Sequence, residues 1–123
     1  MNDKKNIIFV VYLAKLTNTM NQEIIQTYQI ESSIFKSMAH PIRLFIIHQL
    51  ENKKYGVQEL ADMAEIDIST MSRHLDTLKR HRIIVGEKIK NNVFYTLNIP
   101  CVLEFMTCTN KVINQQNKLG GII

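Results

Sequence analysis

A run of short polar and cationic side chains near the middle of the chain has the chemistry needed to contact DNA. Its hydroxyl, guanidinium and imidazole groups belong to Ser69, Thr70, Ser72, Arg73, His74 and Thr77. A guanidinium can donate two hydrogen bonds to guanine, and hydroxyl or imidazole groups can bond base edges or phosphates. These six residues are therefore candidates for contacts with double-stranded DNA.

The same segment carries the signals of an amphipathic helix. Asp67 stands where an N-cap belongs, so its carboxylate can accept hydrogen bonds from the first turn of a helix that begins near Ile68. At about 3.6 residues per turn, Met71, Leu75 and Leu78 fall on one stripe. The sequence predicts that this stripe packs in a core while the polar side stays available.

Positive charge is concentrated on this segment and directly after it. Residues 68–90 hold six basic and two acidic residues, whereas the rest of the chain holds nine of each, and the whole chain has a net charge of +4. Such a focus favours a polyanion as partner, although a merely solvated face has the same composition. The residues expected to touch phosphates are Lys79, Arg80 and Arg82.

Several helices must precede the DNA-contacting segment to position it. The apolar spacing predicts a helix over residues 20–38, and the His40-Pro41 pair breaks it and starts another that ends near Leu50. A polar loop over residues 51–56 leads to a short helix over residues 57–64. Because only Glu65 and Ile66 separate that helix from the next, the spacing is that of a helix-turn-helix.

A β-hairpin is predicted directly after the helix-turn-helix. Two β-prone runs, residues 83–90 and 93–97, flank two residues that tolerate a positive φ angle. In this position the hairpin is a wing whose polar tip can reach phosphates or a minor groove. The tip residues expected to do so are Lys88, Lys90, Asn91 and Asn92. Pro100 then opens a last helix, about residues 101–116.

The 123 residues, 46% of them hydrophobic, suit one domain, which we place at residues 20–117 with a flexible tail at 118–123. Residues 1–19 form an extension that is either helical or upstream of the true start. Its apolar run, Ile7 to Ala14, is too short to cross a membrane, and no convincing signal-peptide cleavage site follows it. With only two cysteines, a reducing cytoplasm is the expected location.

Four segments, in order, resemble the ArsR/SmtB family of winged-helix repressors. Residues 35–44 (FKSMAHPIRL) are similar to the family's KALADPTRL motif, and residues 58–61 (QELA) to its first motif helix. Residues 70–75 (TMSRHL) are similar to its TVSRHL recognition helix, and residues 93–97 (VFYTL) to its VYYRL wing strand. The resemblance spans about residues 33–98, and this combination is far more specific than any one motif.

The resemblance implies a mainly α fold with a small β-hairpin, a winged helix-turn-helix in the order α-α-α-α-β-β-α. It also implies a homodimer, formed through the first and last helices, that binds a palindromic operator and is released by an inducer. It places Ser69, Thr70, Ser72, Arg73 and His74 on the family's recognition positions. The implied partners are operator DNA and a second copy of the chain, with no membrane and no cofactor needed for DNA binding.

The sequence departs from the family pattern at the turn and at a metal site. Glu65 occupies the turn position where the family usually has glycine. The Cys-x-Cys pair of arsenic-sensing members corresponds to Gly56 and Gln58, which cannot hold a soft metal. The last helix also lacks the histidines of a zinc or nickel site, and His40 and His48 are more typical of structural histidines.

Cys101 and Cys108 are the remaining candidates for a sensor. Seven residues along a helix separate them by about 10.5 Å, beyond the roughly 7 Å limit between Cα atoms in a disulfide. They could meet only across two antiparallel helices of a dimer, where they would form a redox bridge or bind a soft metal or metalloid. The alternative is that both are small hydrophobic residues in the dimer core.

The sequence leaves one competing function of a different class. A winged helix can serve as a dimerisation or protein-interaction module without an inducer site, as in domains attached to some methyltransferases, but these 123 residues contain no segment expected to be catalytic. An enzyme is not expected, because no paired carboxylates, nucleophile with a base, or phosphate-binding loop is found. The favoured hypothesis is a transcriptional repressor.

Overall fold

A computed structural model of the chain describes residues 3–19 and 21–118, without the side chains of residues 3–5 and 16–19. The elements in chain order are α1 (Asp3–Thr19), α2 (Gln22–Met38), α3 (Pro41–Gln49), β1 (Tyr55–Gly56), α4 (Val57–Ala64), α5 (Ile68–Arg80), β2 (Ile84–Ile89), β3 (Asn92–Leu97) and α6 (Cys101–Lys118). The contacts divide the chain into two compact units, one up to Lys36 and one from Ser37 onward. The tail predicted at 118–123 lies outside the described residues except for Lys118.

The first unit contains α1 and most of α2. Asn21 begins α2 by accepting hydrogen bonds from backbone N–H groups of the first turn, including Glu23 N–H at 3.1 Å. Leu13 and Ile25 are half-buried where the two helices line a shared concavity, but Phe9 and Tyr28 remain 61% and 56% exposed. Among the described residues, no helix is both long and apolar enough to cross a membrane.

The second unit is organised around an apolar core that draws on helices and strand alike. The side chains that are at most 1% exposed are Ile46, Ile47, Leu60, Ala61, Met71, Leu75, Leu78, Ile83 and Ile84. Three of these, Met71, Leu75 and Leu78, are the stripe that the sequence predicted for the helix after Asp67. The core thus holds α3, α4, α5 and the start of β2 together, and the predicted winged helix-turn-helix is confirmed.

The turn between α4 and α5 depends on a left-handed residue. Glu65 has φ 55° and ψ 43°. Its N–H donates to the carbonyl of Asp62 at 3.3 Å, and the N–H of Ile66 donates to the carbonyl of Ala61 at 3.1 Å. This pair of bonds is a Schellman motif, in which glycine is the usual left-handed residue. The motif gives a physical reason for the glycine that the family resemblance implies at this position, and it places Asp67 directly at the start of α5.

The sheet differs in two details from the sequence-based expectation. Tyr55 and Gly56, predicted as loop, form a short strand that pairs with β3, so the antiparallel strand order is β1-β3-β2. The hairpin loop lies one residue earlier than predicted, because Ile89 pairs with Asn92 and Lys90 adopts the positive φ of 57°. Short polar runs carry little strand signal, which is why β1 was missed.

Replacing Glu65 by glycine should stabilise the protein. A left-handed conformation strains a residue with a Cβ atom, whereas glycine adopts it freely at some cost in unfolded-chain entropy. We expect Glu65→Gly to raise the free energy of unfolding by about 0.5–1 kcal/mol in urea denaturation. Glu65→Ala, which removes the carboxylate but keeps the Cβ atom, is the matched control. Equal stability of the two variants would show that φ strain is not the cause.

The N-cap carboxylate should make stability depend on pH. Hydrogen bonds from the hydroxyls of Ser69 and Thr70, and from the N–H of Thr70, hold the pKa of Asp67 well below its ordinary value. Folding therefore favours the ionised carboxylate. Its contribution to the free energy of unfolding is complete above the pKa of the unfolded chain, about 3.9, and is lost as the pH falls toward the pKa of the folded protein.

The comparison of thermal unfolding between wild type and Asp67→Ala tests this assignment. The difference in melting temperature should be largest near neutral pH and should shrink toward about pH 2, because the unfolded chain takes up a proton at this carboxylate before the folded protein does. Asp67→Asn retains a capping side chain without charge and should lie between the two. A difference that does not change with pH would contradict the role of the carboxylate charge.

Candidate nucleic-acid interface

The hydroxyls at the start of α5 are bound to the N-cap. Thr70 donates from both its N–H, at 2.9 Å, and its hydroxyl, at 2.6 Å, to the carboxylate of Asp67. The hydroxyl of exposed Ser69 also donates to this carboxylate. Because their protons are used in this way, Ser69 and Thr70 can offer DNA oxygen lone pairs, which suit the amino groups of adenine or cytosine.

The outer face of α5 is cationic. Arg73 follows Met71 by two residues, or about 200° around the helix, so it lies opposite the buried stripe. Arg73, Lys79 and Arg80 are all exposed, and with Asp76 they line an open concavity on this face. These side chains can reach a groove or its phosphates without disturbing the core.

Thr77 lies on the same concavity but is bound within the helix. Its hydroxyl donates to the carbonyl of Arg73 at 3.1 Å and accepts from Nη2 of Arg80 at 3.4 Å. One turn later, Nδ1 of His81 donates to the carbonyl of Thr77 at 2.9 Å. Thr77 therefore orients Arg80, and its own contact with DNA stays a prediction.

His74 and Ser72 lie at the two flanks of α5 and are half-buried. The His74 ring packs against that of His40, with 4.3 Å between centroids, and Nη1 of Arg43 lies 3.3 Å from His74 Nδ1. Burial, followed by electrostatic interactions with His40 and Arg43, lowers the pKa of His74. His74 is thus a neutral group at the edge of the face, with one ring nitrogen already engaged.

The end of α5 repeats the geometry found at the end of α4. Arg82 has φ 59°. Its N–H donates to the carbonyl of Lys79, and the N–H of Ile83 donates to the carbonyl of Leu78, both at 3.0 Å. Asn98, which the sequence reasoning did not single out, donates to the carbonyl of Arg82 at 3.0 Å. This second Schellman motif leaves exposed Arg82 between the helix and the wing.

The wing places its polar residues at an exposed tip. Lys88, Lys90, Asn91 and Asn92 are all exposed, as predicted from the hairpin. Near the base of the wing, burial and then the carboxylate of Asp76 raise the pKa of Tyr95, so its hydroxyl remains protonated.

The two cysteines lie apart from this face, on α6. Both are free thiols and both are exposed in the single chain. Cys108 borders a concavity of about 370 Å³ with Glu51, Glu104 and Lys111. Within residues 3–19 and 21–118 no three histidine, cysteine or acidic side chains are grouped closely enough to hold a metal ion.

Comparison with known sequences gives the same assignment as the geometry. The profile of the bacterial regulatory protein arsR family matches residues 40–85, which span α3, α4 and α5. The transcriptional activator HlyU of Vibrio cholerae is 31% identical over 85 residues, covering 69% of this chain and 79% of HlyU. The transcriptional repressor PagR of Bacillus anthracis is 26% identical over 83 residues, covering 67% and 83%.

Solved structures share the fold. Reduced HlyU from Vibrio cholerae superposes with a TM-score of 0.62 at 30% identity, over 69% of this chain and 93% of HlyU. The homodimeric winged helix-turn-helix DNA-binding domain of Mb0332 from Mycobacterium bovis gives 0.67 at 16% identity, over 80% and 90%. These relatives are regulators of transcription and not enzymes. The chain belongs to the arsR family of DNA-binding transcriptional regulators, as its sequence resemblance predicted.

Proposed function

We propose that the protein is a homodimeric repressor that binds a palindromic operator through α5 and the wing and is released by an inducer acting on its cysteines. The observation that carries the DNA-binding part is the outer face of α5, where Arg73, Lys79 and Arg80 lie exposed opposite a buried apolar stripe. A helix of this kind fits the major groove, and the wing tip is available to adjacent phosphates.

Arg73 is assigned to base reading and the wing lysines to the backbone. Arg73 projects from the middle of the outer face, and its planar guanidinium matches the paired acceptors of guanine. Lys88 and Lys90 stand at the end of a hairpin, where a point charge is sufficient to bind phosphate. Arg80, held by Thr77, and Lys79 at the end of α5 are assigned to phosphates as well.

Apolar side chains on the flanking helices support the homodimer. On α2, Ile24, Tyr28 and Ile30 are 46%, 56% and 57% exposed, and on α6 Val112 is 52% exposed. Exposed apolar helix faces are typical of surfaces that pair with another chain. The Mb0332 domain, which shares the fold, is homodimeric. A two-fold dimer presents two copies of α5 and therefore fits an operator with two related half-sites.

Repression is proposed from the family resemblance, and the named relatives include both directions of control. PagR is a repressor and HlyU is an activator. A dimer that covers an operator blocks access to the DNA beneath it, so repression needs no additional surface on the protein. The proposed site of action is the cytoplasm, where the DNA and the reduced thiols would both be found.

The cysteines are proposed as the inducer site because both thiols are accessible. Cys101 and Cys108 stand about 10.5 Å apart along α6 by helical rise, so a disulfide would join one copy to the other. Two thiols would lose two protons and two electrons to an oxidant such as hydrogen peroxide, which becomes two molecules of water. A soft metal or metalloid ion is the other ligand class that this pair would accept.

Replacing Arg73 should reduce specific binding more than general binding. The operator is first obtained by selection from a random duplex library, and binding is then measured by fluorescence anisotropy at two salt concentrations. We expect Arg73→Ala to weaken binding to the selected duplex by about 1–3 kcal/mol, or about 5- to 150-fold, because a paired contact with guanine is lost. Binding to a scrambled duplex should change much less.

The matched variant for this experiment is Lys88→Ala on the wing. Loss of a phosphate contact should weaken both duplexes alike and should reduce the salt dependence by about one unit of slope. If Arg73→Ala binds the selected duplex as wild type does, α5 does not read bases through Arg73. If wild type shows no salt-dependent binding to any duplex, the interaction-module hypothesis is favoured instead.

Removing both thiols should abolish the response to oxidant. Hydrogen peroxide is expected to release wild-type protein from the selected duplex, and dithiothreitol should restore binding. Cys101→Ser/Cys108→Ser should bind the duplex equally well and ignore the oxidant, since both side chains are exposed and the substitution is small. If peroxide or arsenite affects DNA binding by the double variant and by wild type in the same way, the cysteines have a packing role only.

A further inference from the structure

Three basic side chains from three parts of the second unit meet beside α5. Arg43 belongs to α3, His40 is the residue that precedes α3, and His74 belongs to α5. Nη1 of Arg43 lies 3.3 Å from Nδ1 of His74, and the rings of His40 and His74 pack at 4.3 Å with a tilt of 41°. The cluster lies at the flank of the DNA-binding face, and the DNA-binding function as derived so far does not use Arg43.

The hydrogen-bonding capacity of arginine determines the tautomer of His74. A guanidinium has only donors, so Nδ1 of His74 must be the acceptor and the ring proton must reside on Nε2. His40 has the same arrangement, because its own Nδ1 accepts the N–H of Ile42 at 3.1 Å as the N-cap of α3. With Nδ1 as an acceptor, the imidazole of His74 is neutral, which agrees with its lowered pKa.

We propose that Arg43 is a positioning residue for DNA recognition, holding His74 in the tautomer whose Nε2–H donates to an acceptor on DNA. An imidazole free to change tautomer can present Nε2 as either donor or acceptor. With Nδ1 occupied, His74 presents a donor only, so it selects acceptors such as guanine O6, purine N7, thymine O4 or a phosphate oxygen. This proposal rests on DNA binding through α5.

A purely structural role for Arg43 would account poorly for its surroundings. Its Nε is buried without a hydrogen-bond partner in the described structure, and a buried unpaired donor costs free energy. No carboxylate among the described residues forms an ion pair with it. An apolar side chain of similar length would therefore contribute about as much to folding as Arg43 does. Of the two, only the guanidinium can fix the tautomer of His74.

A double-mutant cycle separates positioning from other effects. Arg43→Met is measured in the wild-type background and in a His74→Gln background, because the amide of glutamine carries a distal donor that needs no tautomer control. We expect Arg43→Met to lower affinity for the selected duplex about 5- to 10-fold with His74 present and less than about 2-fold with Gln present. Lys118→Met, an equal loss of charge in the last turn of α6, should leave affinity unchanged.

Two further readouts complete the test. Nitrogen-15 NMR of the free protein should show Nδ1 of His74 unprotonated and Nε2 protonated, and Arg43→Met should give a mixture of tautomers. The melting temperature of Arg43→Met should equal or exceed that of wild type. A loss confined to the selected duplex identifies a base acceptor, and an equal loss on a scrambled duplex identifies a phosphate.

The outcomes that overturn the proposal differ from those that overturn the function. An equal loss of affinity in both backgrounds, or an Nδ1-protonated His74 in wild type, rejects the role of Arg43 while DNA binding stands. If wild type binds no duplex in a salt-dependent manner, the DNA-binding function and the role of Arg43 are rejected together.

Discussion

Burial of one stripe of α5 controls the direction of every side chain on the helix, including those proposed to contact DNA. Met71, Leu75 and Leu78 are at most 1% exposed, and they join α5 to a core that also includes α3 and α4. Since successive helical residues are rotated by about 100°, fixing this stripe leaves Arg73 opposite the core and His74 at its edge. The other features of the interface are an N-cap and two left-handed residues, which lie at the ends of α5.

These features show how the helix is delimited. The carboxylate of Asp67 accepts hydrogen bonds from hydroxyl and N–H groups of the first turn. Glu65 and Arg82 adopt left-handed conformations before and after the helix. Each left-handed residue costs conformational energy that glycine would avoid. The residues that adopt these conformations place a carboxylate before α5 and a guanidinium between α5 and the wing.

The hydrogen bonds within the interface divide its side chains into two kinds. Arg73 and the wing lysines are exposed, so the contacts proposed for them with DNA are limited only by the reach of their side chains. Ser69, Thr70, Thr77 and His74 are already bonded to other protein groups, and each can present only what those bonds leave free. The groups that these residues would present to DNA in the proposed function therefore depend partly on the neighbours that bond them, such as Arg43 and Asp67.

The sequence by itself determined the order of the five helices from α2 to α6 and the hairpin, the N-cap at Asp67, the buried stripe and the concentration of positive charge, because these depend on local periodicity and composition. It also placed the wing, with its loop shifted by one residue, and it missed the two-residue strand β1, whose signal is too short. Only the tertiary structure decided that Arg43 and His40 meet His74 and that Asn98 supports Arg82. Such contacts join residues far apart in the chain, 31 positions for Arg43 and His74, and no local pattern encodes which side chains the packing of α3 on α5 will bring together.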